Sequence, residues 1–327
     1  MEKTALPIKE KISQHLWRRD NGRTLRLGVG CAYLGKGTGD TFSQFEEDLQ
    51  VLMTTYEKGF RFYDTSSDYQ GGRSEAILGH FIKRIPRETI FLATKSNFNW
   101  LSEENPFPAF RERFFRSFEK FGVDYIDLYQ IHDTEHFGCC EDEVFPFLLE
   151  QQKQGLIGYI GTGMRSLNAH ELAVRSGLVQ SVLSYQNYSL LSRAASPLIK
   201  LCSERQCAFI NASVLHFGMI KSEDPYSHGL NKSDHSRRRS FWRRWQEDTV
   251  RLQALCKSAG INILAPALQY SLLNPHIDIT LNGIHRLSNI ESTIAAMDTV
   301  IFPEIWAAIQ AIQDQNEFMD VQDDLLR

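Results

Sequence analysis

Cysteine is scarce in this chain, and its arrangement excludes the class of small disulfide-rich secreted proteins. Six cysteines occur among 327 residues, and they lack the density and spacing of a disulfide framework. The N-terminus carries charges at Glu2 and Lys3 without a following apolar stretch, so no secretory signal is predicted. We therefore expect reduced thiols in a cytoplasmic protein.

Long apolar runs and a strong charge of either sign are also missing. No apolar segment approaches the roughly 20 residues needed to span a bilayer, and the formal net charge is only -4. Neither feature suggests a membrane or a nucleic-acid partner. We expect a small-molecule partner instead, and a protein that is a monomer or a weak homo-oligomer.

What the chain does contain is a regular alternation of apolar strand-like runs and amphipathic helical stretches. Strands are predicted at residues 25–29, 61–63, 90–93, 125–131, 157–160, 181–185, 208–211 and 277–281. Helices are predicted at residues 41–57, 74–83, 107–121, 143–154, 167–175 and 195–204. Such strand–helix units predict a (β/α)8 barrel. We interpret residues 1–327 as one domain in which residues 1–22 form an N-terminal extension.

One connection, between Asn211 and Ile277, is much longer than the others. Helices are predicted inside it at residues 241–258 and 265–273, and a further helix is predicted at residues 303–313, beyond the last barrel unit. In such barrels, long loops after the strands lie on the catalytic face. The basic and aromatic segment 237–245 is interpreted as a solvated helix start, with RNA binding or a grip on a cofactor phosphate as weaker alternatives.

Four polar residues follow three successive predicted strands. Asp64 and Tyr69 come after the second strand, Lys95 after the third, and His132 after the fourth. Taken singly, each has an ordinary structural explanation, such as a helix cap or a solvated strand end. Because the carboxyl ends of parallel barrel strands meet at one face, the four side chains are predicted to meet there.

An acid, a phenol, an ammonium and an imidazole together form a set suited to proton transfer. The pKa of a free phenol is near 10, and a neighbouring ammonium stabilises the phenolate. A carboxylate keeps the ammonium charged and in position, while an imidazole can hydrogen-bond a substrate oxygen. The set suits protonation of a carbonyl oxygen while a hydride reaches the carbon. A cofactor must supply that hydride, because no side chain can.

The segment after the first predicted strand partly matches two nucleotide-binding motifs, but it lacks a required residue of each. Residues 30–37 nearly match a phosphate-binding P-loop, but Gly37 stands where Ser or Thr would hold magnesium. The dinucleotide fingerprint lacks its third glycine, because Tyr33 stands at that position. A flexible first loop is the better interpretation.

A third motif resembles a zinc site. Residues 132–136 fit the H-x-x-E-H pattern, with Cys139 and Cys140 nearby. That pattern needs both histidines on one face of a helix, whereas His132 ends a predicted strand and Gly138 interrupts any helix. We predict no metal site, and zinc-dependent hydrolysis remains a less favoured alternative.

The chain resembles an aldo-keto reductase. The resemblance is carried by Asp64-Thr65 with Tyr69, by the Gly72-x-Ser74-Glu75-x-x-Leu78-Gly79 segment, and by residues 93–95, 128–132 and 159–161. It runs from about Leu27 to Met297. It implies a (β/α)8 barrel that binds NADP(H) or NAD(H) without a Rossmann fold. By matching position, Tyr69 would be the general acid/base, Lys95 and Asp64 would tune it, and His132 would orient the substrate.

The resemblance also implies a set of cofactor-binding residues. Gln186 would contact the nicotinamide amide, and the 213–218 loop would wrap the pyrophosphate. The full predicted cofactor set is Gly30, Gln186, Ser213, Leu215, Gly218, Gly283, His285, Arg286 and Asn289. Tyr33, Phe98 and Trp100 are candidates for the substrate wall, although each could equally pack a loop.

Within the family, several stretches are most similar to the sugar dehydrogenase branch, which implies an aldehyde or the anomeric carbon of an aldose as the site of hydride transfer. Some positions depart from the usual pattern. Gly163-Met164 replaces a Ser-Asn pair, Ala212 stands where an aromatic residue stacks on nicotinamide, and Gln70 is inserted after Tyr69. The departures at Gly163-Met164 and Ala212 motivate an alternative, a cofactor-binding redox sensor with little turnover. The signature for an NADP 2′-phosphate is incomplete, but Arg286 could supply a guanidinium.

Overall fold

The computed structural model of the protein describes residues 6–36, 42–98, 106–132, 142–227 and 239–315. Its strands are β1 (Trp17–Arg18), β2 (Thr24–Leu25), β3 (Leu27–Gly30), β4 (Phe62–Asp64), β5 (Phe91–Asn97), β6 (Ile126–His132), β7 (Ile157–Met164), β8 (Ser181–Tyr185), β9 (Ala208–Ala212) and β10 (Ile279–Gly283). Strands β3 to β10 pair in parallel and close into a barrel, in which β10 returns to β3. The short strands β1 and β2 form a separate antiparallel pair.

The helices alternate with the barrel strands. They are α1 (Ile8–Ser13), α2 (Phe42–Glu57), α3 (Arg73–Ile82), α4 (Phe107–Phe121), α5 (Val144–Lys153), α6 (Leu167–Ser176), α7 (Ser196–Glu204), α8 (Arg239–Ser258), α9 (Leu264–Leu273), α10 (Leu287–Asp298) and α11 (Pro303–Asp314). The predicted (β/α)8 barrel is therefore confirmed. The long connection follows β9, the seventh barrel strand, and α11 is the predicted C-terminal helix.

Helix α4 illustrates how the local sequence forms these elements. Phe110, Phe114 and Phe121 recur on one helical face, and all three are fully buried. Gly122 ends the helix with φ 64°, a left-handed conformation that suits glycine. Its N–H donates to the carbonyl of Phe118 at 2.8 Å, which satisfies a carbonyl at the helix end.

Alternation along the strands separates two apolar layers. Phe91 and Leu128 point into the barrel and belong to an inner cluster. Their neighbours Leu92 and Tyr129 point outward and pack beneath the surrounding helices. Because successive strand side chains face opposite sides, every second residue near the strand ends faces the barrel interior.

The segment before β1 covers the end of the barrel where the strands begin. Ile8 and Ile12 of α1 join the inner cluster, and the Tyr159 hydroxyl donates to the carbonyl of Leu6 at 2.6 Å. One end of the barrel is thus filled by apolar side chains, which leaves the opposite end for polar groups.

Two features of the fold differ from the sequence-based prediction. Strands β5 and β7 continue about four residues beyond their predicted ends, residues 93 and 160, so Lys95 lies within a strand instead of after it. The inward-facing Lys95 interrupts the apolar pattern on β5, and the inward-facing Gly161 and Gly163 interrupt it on β7, although the backbone pairing continues in both strands. Helix α10 was not predicted, although Ile290, Ile294 and Met297 occur at helical spacing.

Within the described part of the chain, no single helix is long and apolar enough to cross a membrane. Helices α10 and α11 together pass that test by length and composition only, and they are bent by 109°.

Candidate active site

The four predicted polar side chains lie together at the carboxyl end of the barrel. Asp64, Lys95 and His132 point inward from β4, β5 and β6, and Tyr69 begins the turn that follows β4. The Lys95 ammonium lies 5.1 Å from the centre of the Tyr69 ring. The Tyr69 and His132 rings are 6.0 Å apart and nearly perpendicular, at 88°. A cation and an imidazole therefore flank one phenol.

Lys95 and Asp64 form a buried ion pair beneath the phenol. Nζ of Lys95 lies 2.5 Å from Oδ1 of Asp64, and the two side chains are only 1% and 4% exposed. Lys95 also donates to the carbonyl of Thr65 at 2.7 Å, and Gln130 donates to Oδ2 of Asp64 at 3.1 Å. A buried ion pair persists when hydrogen bonds satisfy its remaining atoms, and these contacts hold the ammonium in place.

Gly163 of β7 affects the site in two ways, through its backbone carbonyl and through the absence of a side chain. Its carbonyl accepts a hydrogen bond from Nδ1 of His132 at 2.7 Å, which orients the imidazole. A Cβ atom at this position would approach Cδ of Lys95 to 3.0 Å. A larger residue at this position would therefore have to displace the Lys95 stem slightly.

The inserted Gln70 shapes the turn that carries Tyr69. Gln70, Gly71 and Gly72 all have positive φ angles, of 54°, 66° and 83°. The Gln70 amide donates to the carbonyl of Ala32 at 3.0 Å, which ties the turn to the loop after β3. The insertion is accommodated as a left-handed turn, a conformation in which glycine carries no steric cost.

Gln186, the residue after β8, presents an unsatisfied amide at the same end of the barrel. It is 2% exposed and has a left-handed φ of 65°. Its Nε2 has no hydrogen-bond partner among the residues that the structure describes. A buried donor without a partner is costly, and the carbonyl of a ligand carboxamide would satisfy it.

The loop after β9 has an unusual backbone that suits anion binding. Ser213, His216, Phe217 and Gly218 have φ angles of 54°, 47°, 56° and 99°. Left-handed residues within turns create concave arrays of N–H groups that attract anions. The predicted pyrophosphate loop includes Ser213 and Gly218, which have such left-handed φ angles, and Leu215, whose carbonyl accepts from the N–H of Gly218 at 2.9 Å.

Cationic groups surround His285 in the loop after β10. Burial first, and then the charges of Arg286, Lys221 and Lys36, lower the pKa of the His285 imidazole. Tyr33 packs against the imidazole with ring centres 5.3 Å apart. These groups come from the loops after β3, β9 and β10, which are neighbours in the barrel. Loops in these positions often form phosphate sites in barrels of this type.

The remaining predicted cofactor residues hold this region together. Gly30 and Gly283 are register partners at the mouth of the barrel, where neither contributes a side chain. The side-chain amide oxygen Oδ1 of Asn289 accepts from the backbone N–H of His285 at 3.3 Å. Tyr33, predicted as substrate wall, lies beside this group, with Cδ2 3.9 Å from a Cβ atom built on Gly283.

The other wall candidates and the competing motifs lie elsewhere. Phe98 is 1% exposed and packs edge-on against Phe110, which matches the loop-packing alternative. Trp100, residues 133–141 of the zinc-like motif and residues 237–238 of the basic segment lie outside the described residues. Across the described ranges, no group of three or more His, Cys, Asp or Glu side chains is placed to bind a metal ion.

Two residues near the site were missed by sequence reasoning. Gln130 lies two positions before His132 on the same face of β6, so the period of two could have identified it as a partner of the tetrad. Lys221 ends a 3-10 turn, His216–Lys221, and has no local motif. Only the barrel closure brings it near His285.

Two buried histidines, His170 and His216, hold backbone segments that carry the site. His170 lies 2.9 Å from the Thr162 hydroxyl and donates to the carbonyl of Met164 at 3.0 Å. His216 shares a hydrogen bond of 2.6 Å with Ser189 and packs against Trp245. They anchor the end of β7 and the loop after β9.

We expect these histidines to make the protein less stable in mild acid. Burial lowers the pKa of His170 to about 4 and that of His216 to about 3, whereas an unfolded histidine titrates near 6.5. The stabilisation is therefore complete above about pH 6.5 and is lost as pH falls below it, by up to about 1.4 kcal/mol per pH unit for each group. Urea unfolding over this pH range measures the slope.

The His170→Gln variant should show a smaller pH slope than the parent. His276→Gln is the matched control, because it makes the same substitution at an exposed histidine. Equal slopes in the parent and in His170→Gln would contradict the expectation.

Comparison with known proteins places these features in a family context. The Aldo/keto reductase family model matches residues 26–314. L-galactose dehydrogenase of Arabidopsis thaliana is 27% identical over 318 residues, which cover 88% of this chain and 91% of the relative. D-threo-aldose 1-dehydrogenase of a Pseudomonas species is 26% identical over 317 residues, with coverage of 86% and 92%.

Solved structures share the fold. An aldo-keto reductase from Bacillus halodurans in its holo form aligns with a TM-score of 0.70 and 22% identity, covering 91% of this chain and 95% of that one. An aldo/keto reductase from Klebsiella pneumoniae, in complex with NADP and acetate, aligns with a TM-score of 0.65 and 16% identity, covering 91% and 95%.

Proposed function

The chain belongs to the aldo/keto reductase family, and from that premise we propose that it is an NAD(P)-dependent oxidoreductase acting on an aldehyde or on the anomeric carbon of an aldose. The observation that carries the proposal is the buried Lys95–Asp64 pair beneath Tyr69, with His132 beside the phenol. A buried charge pair next to a phenol is costly to maintain and has a clear use in proton transfer.

The residues at the mouth of the barrel fit a nicotinamide dinucleotide. The unsatisfied Nε2 of Gln186 suits the carbonyl of the nicotinamide carboxamide. The glycine pair Gly30 and Gly283 places no side chains at the ends of β3 and β10. The left-handed loop 213–218 and the cations around His285 suit phosphate groups. When bound, the nicotinamide supplies or accepts the hydride.

The protein's own residues handle the proton. Tyr69 gives its proton to the substrate oxygen in reduction and takes it back in oxidation. The Lys95 ammonium stabilises the negative charge that develops on the phenolate, and Asp64 keeps the ammonium charged and oriented. His132, held by the carbonyl of Gly163, hydrogen-bonds the same substrate oxygen.

An aldose is the finer part of the proposal. Two relatives that match most of the chain are named as dehydrogenases of L-galactose and of a D-threo-aldose. Their names support a sugar whose anomeric hydroxyl is oxidised. At 26–27% identity, the identity of the sugar is left to experiment.

The direct test is an absorbance assay of nicotinamide reduction or oxidation over a panel of aldoses and aldehydes, with both cofactors. We expect turnover that depends on the cofactor and persists after treatment with a metal chelator. Tight cofactor binding without turnover on any substrate would favour the redox sensor instead. Activity that needs stoichiometric zinc would favour the metal hydrolase.

We expect Gln186→Met to weaken cofactor binding by about three- to tenfold, the usual worth of one hydrogen bond. Methionine has a similar size but cannot donate to the carboxamide. Titration of the cofactor, followed by protein fluorescence, measures the dissociation constant. Gln154→Met, on an exposed helix end, is the matched control, and equal constants in both variants would remove Gln186 from the cofactor site.

A further inference from the structure

Tyr185 lies at the mouth of the barrel and has no role in the mechanism proposed above. It is the last residue of β8, and its register partner is Ala212, the last residue of β9. Its ring is half-buried and packs against the inner cluster that contains Ala212. Tyrosine and alanine thus lie side by side on the inward face of two neighbouring strands.

Ala212 leaves the inward face of β9 without a large side chain next to Tyr185. Ala212 offers only a methyl group, 9% exposed, at the end of its strand. Neighbouring inward positions in a parallel pair are about 4.8 Å apart, so the Tyr185 ring has only a methyl group as its neighbour on β9. The next two strands around the barrel, β10 and β3, end at Gly283 and Gly30, which contribute no side chains beside this pair.

Tyr185 is followed directly by Gln186, whose buried amide nitrogen lacks a partner among the described residues. The backbone N–H of Gln186 donates to the carbonyl of Ala212 at 3.2 Å. The left-handed φ of Gln186, 65°, breaks the strand alternation that would separate consecutive side chains. The protein therefore offers an aromatic ring and a carboxamide donor on consecutive residues, and nicotinamide is itself an aromatic ring that carries a carboxamide.

The loop after β9 adds a second ring at the rim. The Phe217 ring is 51% exposed, and its centre lies 6.5 Å from that of Tyr185 at an angle of 55°. An exposed aromatic residue with a left-handed backbone belongs to the same loop as the predicted pyrophosphate contacts. Tyr185 thus lies between the inner cluster and the loop that would carry the rest of the dinucleotide.

We propose that Tyr185 is the ring on which the nicotinamide stacks, in place of the aromatic residue that Ala212 lacks. The inference rests on the proposed function, because it needs a nicotinamide cofactor. The ring would hold the nicotinamide from the side of β8 and β9, with Tyr69 across the barrel mouth in the turn after β4. It acts as a positioning residue for the cofactor, and offset-stacked rings give such contacts a preferred geometry.

The test measures the dissociation constant of the oxidised and the reduced cofactor by fluorescence titration, without any substrate. Tyr185→Ala should weaken binding about tenfold, whereas Tyr185→Phe, which keeps the ring, should stay within about twofold of the parent. The double variant Tyr185→Ala/Ala212→Tyr moves the ring to the neighbouring strand and should recover most of the lost affinity. Tyr226→Ala, an exposed tyrosine in the turn Pro225–Ser227, is the control for loss of a phenol elsewhere.

Circular dichroism and thermal unfolding check that each variant folds, and Tyr185→Leu replaces Tyr185→Ala if the smaller side chain disrupts the fold. The proposal is overturned if Tyr185→Ala or Tyr185→Leu binds both cofactor forms as the parent does. A rise in the sugar KM alone would overturn it too, because the ring would then be a sugar platform, while the proposed function would stand. A parent protein that binds neither NADP nor NAD would end both proposals together.

Discussion

The Tyr69→Phe variant is expected to lose about 10²- to 10⁴-fold in kcat, the usual contribution of a positioned general acid or base. Phenylalanine keeps the ring that lies 5.1 Å from the Lys95 ammonium and 6.0 Å from the His132 ring. It removes only the hydroxyl that exchanges the proton. The dissociation constant of the cofactor should stay the same, because the phenol acts on the substrate oxygen.

Steady-state kinetics and a cofactor titration on the same preparations measure the two effects separately. Tyr226→Phe, in which an exposed hydroxyl is removed, should match the parent in both. A Tyr69→Phe enzyme with parental kcat would exclude Tyr69 as the acid/base. A large rise in the cofactor dissociation constant with little change in kcat would instead assign the hydroxyl to binding.

The Lys95→Met variant is expected to lose activity and stability together. It leaves the Asp64 carboxylate buried without its cation, which costs about 3–5 kcal/mol in the free energy of unfolding. It also removes the charge that stabilises the phenolate, so kcat should fall by about 10²-fold or more. Chemical denaturation and steady-state kinetics measure the two losses.

A second substitution separates the two roles of Lys95. In Lys95→Met/Asp64→Asn neither charge remains, so most of the stability should return, while activity should stay low. The control is Arg175→Met, which breaks an exposed pair with Glu171 and should cost at most about 0.5 kcal/mol. If Lys95→Met unfolds at the parental denaturant concentration, the pair is not the buried, coupled unit that its geometry indicates.

The barrel itself could be predicted from local patterns. Apolar runs and helical stretches alternate along the chain, and this alternation allows few other folds. Helix α4 begins and ends at its predicted residues, because its phenylalanines repeat at helical spacing and Gly122 stops it. Where polar side chains face inward, as at Lys95, the same pattern ended the strand too early. Hydropathy cannot distinguish a buried ion pair from a loop.

The meeting of Asp64, Tyr69, Lys95 and His132 could also be anticipated, because the carboxyl ends of parallel strands converge. Their hydrogen-bond partners could not. Gln130 on β6 donates to Asp64 on β4, two strands away, and the carbonyl of Gly163 holds His132 from the next strand. Such contacts depend on the register between strands, which no local pattern records.

Local sequence patterns therefore suffice to predict the alternation of strands and helices, the barrel that follows from it, and the four polar residues that follow the strands. Three placements are visible only in the folded structure. They are the cationic side chains near His285, the buried amide of Gln186 without a partner among the described residues, and the position of Tyr185 beside Ala212. The reason is physical. Local patterns reflect burial within one element, whereas these placements depend on barrel closure, which joins residues far apart in the chain at fixed register.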